Sequence, residues 1–233
     1  MNTIFTAHID TLKEVGLFAG VATSDLLAML DCLEPKFVAY RKNDFIALSG
    51  EKFEAVGILL VGEAAVIKEN AMGNRVVMEI LKPGAIFGEI VVFTEDPTWP
   101  NSVIAQEPSK VMFISCHKIL GQCHKVCPWH RLIIQNMLKT VAEKAILLNK
   151  KVEYLSIKGM RGKIAAFLLD QYRKTGKTTF NLSMNRNEMA EFLNVSRPSM
   201  SREMGRMKKE GIIDFHLSSV RIKDLDALKK MAE

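Results

Sequence analysis

"LNVSRPSMSREMGRMKKEGII", residues 193–213, places two arginines, Arg197 and Arg202, five positions apart at the start of a helical pattern. Three serines lie among them and a basic, methionine-rich tail follows. Ser196 can cap such a helix, because its hydroxyl accepts from an orphan backbone N–H. Pro198 then falls in the first turn, where a missing N–H costs nothing. Gly211 ends the helix. Upstream, Asn185 and Glu188 have the spacing of a reciprocal capping box, so "RNEMAEFL" reads as a preceding helix. Asn194-Val195 makes the tight turn between the two, and Ala190 is small enough to let them cross. "IIDFH" and "SVRIK" follow as a small hairpin, and Asp224 starts a last short helix.

Two helices joined by such a turn are a helix-turn-helix, in which the first residues of the second helix meet base edges. Here those residues are Arg197, Ser199, Met200 and Arg202. Ser199 and Arg202 lie about one turn apart and face the same way. An arginine fork can donate twice to guanine O6 and N7, while serines and a helix N-terminus suit phosphates. Ser196 and Pro198 complete the contact set, and Arg206, Lys208 and Lys209 continue the positive field. The competing reading is a solvated basic helix. The charge distribution bears on the choice. Residues 1–157 carry 16 Lys+Arg against 17 Asp+Glu, whereas residues 158–233 carry 16 against 9. The whole excess of +6 therefore comes from the last third, which points to a nucleic-acid or acidic partner for that third alone.

The segment before it is helical from Trp129 for almost 30 residues without Gly or Pro. Ile134, Leu138, Val141, Ala145, Leu148, Val152 and Leu155 follow at gaps of 4 and 3. That heptad stripe suits a partner helix and predicts a homodimer; the alternative is that it packs on the preceding domain. "KIAAFLLDQY" after Gly159 reads as a further amphipathic helix, and "TTFNLS" as a strand. From 36 to 115 the period changes to short β-branched runs, among them "EAVGILL", "EAAVIKE", "RVVMEIL", "SVIAQ" and "KVMFIS", separated by Gly and Pro. Strands so spaced predict a closed antiparallel sandwich or roll. Residues 9–18 and 23–33 read as short helices, the second capped by Thr23 or Ser24. The expected class is α+β: residues 1–128 as N-terminal helices and an effector-binding β-roll, 129–157 as a dimerisation helix, and 158–233 as a winged helix-turn-helix domain.

The 233 residues are 48% apolar, enough for a core in each domain. No run approaches 18 apolar residues, so no membrane partner is expected, and the N-terminus lacks the features of a signal peptide. A cytoplasmic protein is expected. With reduced thiols expected there, Cys32, Cys116, Cys123 and Cys127 read as free cysteines. A metal-dependent β-roll enzyme needs strand histidines, yet none lies between His8 and His117; no nucleophile elbow or P-loop is present either.

In this order of elements the chain resembles the Crp/Fnr transcription regulators over roughly residues 10–223. "PGAIFGE" (Pro83 to Glu89) is similar to the family's phosphate-binding cassette, and "NEMAEFLNVSRPSMSR" (Asn187 to Arg202) to its recognition unit. The resemblance implies a homodimer on palindromic promoter DNA, with RNA polymerase as a partner. It also implies a small-molecule effector in the β-roll that moves the dimer helices. It places that effector near Gly88, Glu89, Asn101, Ser102, Leu148 and Asn149. In cyclic-nucleotide-binding members Arg-Ser follows the cassette, and the Arg pairs with the phosphate. Here Asn101-Ser102 stands there, and an uncharged amide cannot neutralise a buried phosphate. The family's base-reading polar pair is replaced by Leu148-Asn149. Cyclic AMP is therefore not the expected effector. The iron–sulfur cysteines of oxygen-sensing members are absent as well, with Cys32 alone before residue 116.

"SCHKILGQCHKVCPWH" holds Cys116, Cys123, Cys127, His117, His124 and His130 just before the dimer helix. A redox or NO sensor there, or haem ligation, is one reading, with action through protein partners instead of DNA as its extension. Ordinary packing is the other, and the spacing is not that of a zinc ribbon, so no metal is assigned.

Overall fold

A computed structural model of the chain describes residues 7–69, 75–121 and 129–232. It divides into two compact units, residues 1–143 and 144–233.

The first unit begins with helix α1 (Ile9–Glu14), a 3-10 turn (Gly16–Phe18) and helix α2 (Thr23–Leu33). The single helix expected over 9–18 is thus broken at Val15, whose extended ψ of 121° ends α1. Neither Thr23 nor Ser24 caps α2. Ala22 holds the N-cap position, with no side-chain bond. Eight strands follow: β1 (Lys36–Tyr40), β2 (Phe45–Ala47), β3 (Ala55–Val61), β4 (Ala64–Glu69), β5 (Arg75–Leu81), β6 (Ile86–Phe87), β7 (Ser102–Ala105) and β8 (Ser109–Ser115). They form two four-stranded sheets with the orders β1-β8-β3-β6 and β2-β7-β4-β5, antiparallel throughout. One core joins them. Val56 and Ile58 come from one sheet, Ala64, Val66, Val103 and Ala105 from the other. Leu12, Leu17 and Leu30 cover it from the N-terminal helices, and Ile133 and Met137 from the long helix. At 0–8% exposure these side chains supply the apolar burial that holds the roll together. Helix α3 (Cys116–Leu120) leads out of β8.

Helix α4 (Trp129–Ser156) runs on into the second unit. Helix α5 (Met160–Thr175) comes next, ended by Gly176 at φ +66°. Strand β9 (Thr179–Asn181), helices α6 (Arg186–Phe192) and α7 (Arg197–Lys209), the hairpin β10 (Ile213–His216) and β11 (Ser219–Ile222), and helix α8 (Leu225–Met231) complete the chain. The three strands pair in the order β10-β11-β9. Tyr154 and Ile164, Ala190 and Leu193, and Met200, Met204 and Met207 form the second core with Ile213, Val220 and Leu228. An antiparallel β-roll, a long helix and a winged helix-turn-helix are the architecture expected from the sequence.

Candidate nucleic-acid interface and effector pocket

Each signal around the helix-turn-helix takes its expected local form. The Asn185 side chain accepts from Asn187 N at 2.8 Å and Glu188 N at 3.1 Å, and the Glu188 carboxylate accepts from Asn185 N at 2.8 Å. Asn194 makes the turn in a left-handed conformation at φ +51°, which asparagine tolerates. Val195 N then donates back to Ala190 O at 2.9 Å. The Ser196 hydroxyl caps α7 by accepting from Ser199 N at 3.3 Å.

The period of α7 separates two faces. Met200, Met204 and Met207 are buried, at spacings of 4 and 3 that mark an inward helical stripe. Met200 was expected among the base-reading residues. It is instead fully buried, and its thioether anchors the helix to the core. Ser196, Arg197, Pro198, Arg202 and Arg206 are exposed, and Ser199 half-buried. Arg202 Nη2 donates to the Ser199 hydroxyl at 3.1 Å, so both lie on one face, as the spacing predicts. Gly205 lies between Arg202 and Arg206, and a Cβ there would meet nothing within 4 Å.

Acidic groups on the helix are held from behind. Arg161 of α5 forks onto Glu210 at 2.7 and 2.8 Å, and its Nε donates to Glu203 at 2.5 Å. These bonds hold the Arg161 guanidinium even more firmly protonated than usual and draw the Glu210 carboxyl below the ordinary range. Arg206 also pairs with Glu203, at 3.1 Å. Lys208 pairs with Asp214 at 2.6 Å. Part of the expected positive field is therefore neutralised inside the domain. On the wing, Arg221 is exposed on β11, a cation the sequence reading passed over because strand charges carry no periodic signal. Leu217 at the wing tip is 81% exposed with φ +53°.

In the first unit, the cassette-like segment ends β6 and turns at Gly88, whose φ is +89°. A Cβ at Gly88 would meet the Phe53 ring, and one at Gly57 the Phe87 ring. The backbone comes this close because four rings fill the interior: Phe53, Phe87, Trp99 and Phe113 stack and tilt at centroid distances of 5.3–6.5 Å. Glu89 is buried at 3% exposure. The Ser102 hydroxyl accepts from Ser49 N at 3.1 Å. Asn101 brings no charge to this region. Leu148 and Asn149, expected beside them, lie in the second unit, both exposed. A cyclic nucleotide does not fit this set. Its phosphate would find no arginine at the cassette, and the rings of Phe87 and Trp99 already occupy the core.

On the other side of Glu89 opens a cavity of about 310 Å³. Ile90, Phe93 and Thr94 form one wall, Ile119 and Leu120 of α3 another, and Ile134, Met137, Leu138 and Val141 of α4 the third. The sequence reading missed it, because its walls come from stretches far apart in the chain. Along α4 the heptad stripe divides. Ile134 and Val141 pack partly on the first core, while Leu138, Ala145, Leu148, Val152 and Leu155 are exposed.

Of the cysteine-histidine segment, Cys123, His124 and Cys127 lie outside the described residues. Cys116 packs against the first core. His130 Nε2 sits 3.0 Å from Lys118 O. No group of three His, Cys, Asp or Glu among the described residues could hold a metal ion, and no histidine among them lines the cavity.

The comparisons with known proteins agree with this geometry. The family model described as "Cyclic nucleotide-binding domain" matches residues 37–125, and that described as "Crp-like helix-turn-helix domain" matches residues 162–231. The chain is 22% identical over 204 residues to an anaerobic regulatory protein of Bacillus subtilis, covering 83% of this chain and 81% of that one. It is 20% identical over 221 residues to a cyclic AMP receptor protein of Thermus thermophilus, covering 95% and 98%. A CooA variant from Carboxydothermus hydrogenoformans has the same fold, with a TM-score of 0.56 at 20% identity over 89% of this chain and 95% of that one. No helix among the described residues is long and apolar enough to cross a membrane. A β-roll that matches one of the two family models and a capped, basic recognition helix that matches the other make this chain a member of the Crp/Fnr family of DNA-binding transcription regulators.

Proposed function

We propose that the chain acts as a homodimer on palindromic promoter DNA under the control of an effector other than cyclic AMP, in the cytoplasm and alongside RNA polymerase, and not as an enzyme. The observation that carries this reading is the division of α7. A methionine stripe fixes its inner face, which leaves Arg197, Ser199 and Arg202 on the outer face of a domain with a net +7. The homodimer draws support from α4, where Leu138 is 65% and Leu148 and Val152 are each 61% exposed in the single chain. Apolar side chains in a heptad row at such exposure are costly in water and suit a second helix. The argument against cyclic AMP rests on Asn101 and on the ring-filled interior.

The test is a fluorescence-anisotropy titration against a duplex selected from random sequence and against a scrambled duplex, at several salt concentrations, with and without cyclic AMP. The selected duplex should bind more tightly by about a thousandfold or more, and log affinity should fall linearly with log salt. Cyclic AMP should leave both curves in place. Equal affinity for the two duplexes rejects specific DNA binding, and a shift of the curve by micromolar cyclic AMP rejects the effector assignment.

A further inference from the structure

We propose that the cavity beside Glu89 is the effector site and that it takes a largely apolar small molecule carrying one hydrogen-bond donor; this rests on reading the chain as an effector-responsive regulator. At about 310 Å³ the cavity has the size of a small-ligand pocket. It is roughly twice the ~150 Å³ that admits a benzene ring in a dry protein core. Ile119 at 0% and Met137 at 4% exposure line it from within, so it is a pit with a buried floor and not a flat face. Its mouth is formed by exposed Ile90, Leu120 and Leu138.

The polar groups select the ligand. Thr94 Oγ1 lies 2.8 Å from Val91 O and 2.9 Å from Asp96 O, so its hydroxyl hydrogen is committed to the main chain. Glu89 is the one ionisable residue in the lining. An ionised carboxylate only accepts hydrogen bonds, and it repels a second anion at short range. The site therefore favours an amine or hydroxyl on an apolar body and disfavours a phosphate or carboxylate. The far wall explains how binding would be felt. Leu138 lines the cavity and stands on the exposed heptad stripe, and Ile134 and Val141 flank it. A ligand that fills the cavity presses on the row of α4 that would face the second copy.

The test uses phenylnaphthylamine, a neutral arylamine that fluoresces in apolar surroundings, titrated into the full chain without DNA. Saturable enhancement is expected at one probe per chain. Leu120→Arg and Ile90→Arg each place a charge at the mouth and should weaken binding by about tenfold or more, since an arginine there must keep its water. Both positions are exposed, at 57% and 49%, and circular dichroism checks that the variants fold. Val76→Lys removes another exposed apolar side chain, on β5, and should leave the titration unchanged. Several results overturn the proposal: no saturable signal, arginine variants that bind like wild type, or equal loss in Val76→Lys. So does probe binding that disappears as rising protein concentration drives dimerisation, because a second copy would then be the occupant. The titration contains no DNA, so its failure and the failure of the DNA-binding reading are separate results.

Discussion

Arg202 can reach a base edge only because its neighbours on α7 are held. Met200 and Met204 fix the helix phase from below, and the Ser199 hydroxyl, 3.1 Å from Nη2, orients the guanidinium. An oriented fork loses less side-chain freedom when it meets guanine. Arg202→Ala should cost about 1–3 kcal/mol on the selected duplex and much less on the scrambled one, measured by anisotropy. Equal losses on both would assign the residue to phosphate alone. Gly205 is the opposite case. It sits in the middle of the helix with open space where a Cβ would be. Gly205→Ala should raise stability in urea by roughly 0.5–1 kcal/mol, because alanine has less backbone entropy to lose on folding. A destabilised variant would mean that the space is not open.

At the scale of elements, the junction between α4 and α5 is held by one carboxylate. Asp170 accepts from Tyr154 Oη at 2.8 Å and from Lys150 Nζ at 3.0 Å, and Arg173 adds a third bond at 3.1 Å. Burial pushes its pKa up, but the bonds from Tyr154, Lys150 and Arg173 outweigh burial, and the net shift is downward. Burial, with the same bond, raises the Tyr154 phenol. A carboxyl depressed in the folded state adds stability above its unfolded pKa of about 3.9 and loses it as pH falls through the lower folded value. Asp170→Asn should therefore destabilise the protein at neutral pH by about 1–3 kcal/mol, and the gap to wild type should close below about pH 4. A gap that is constant with pH in thermal melts would rule out the carboxylate charge as its source. The elements themselves were legible where their signals are local. The Asn185 capping box, the Ser196 cap, the Gly176 stop and the 213–222 hairpin all lie within a few residues of the bonds they make. The Met200, Met204 and Met207 period was equally legible, and Met200 was misassigned by weighing position along the helix above phase around it. The cavity was not legible, since Glu89, Leu120 and Leu138 meet only through tertiary packing. Nor was the split of the α4 stripe, because a heptad row does not say which of its members the same chain covers.

For the whole molecule, two-fold recognition requires that α4 pair and that two α7 helices then meet DNA together. Leu148 is placed to separate these requirements, since it lies in the exposed part of the stripe and outside the first core. Leu148→Lys buries a charge in the seam of a dimer and should shift sedimentation toward the monomer. The monomer should bind the selected duplex with the affinity of a single half-site. The same logic applies to the DNA. Half-sites centred one helical turn apart, about 34 Å or 10 base pairs, lie on one face of the duplex. Inserting about five base pairs between them turns the second half-site to the far side, and about ten restore the face at twice the separation. Wild-type affinity should fall to the Leu148→Lys level with the half-turn insertion. It should stay low with the full turn if α4 holds the recognition helices at a fixed distance. Recovery at the full turn would show that facing alone suffices, so that the dimer helix sets orientation without setting the span.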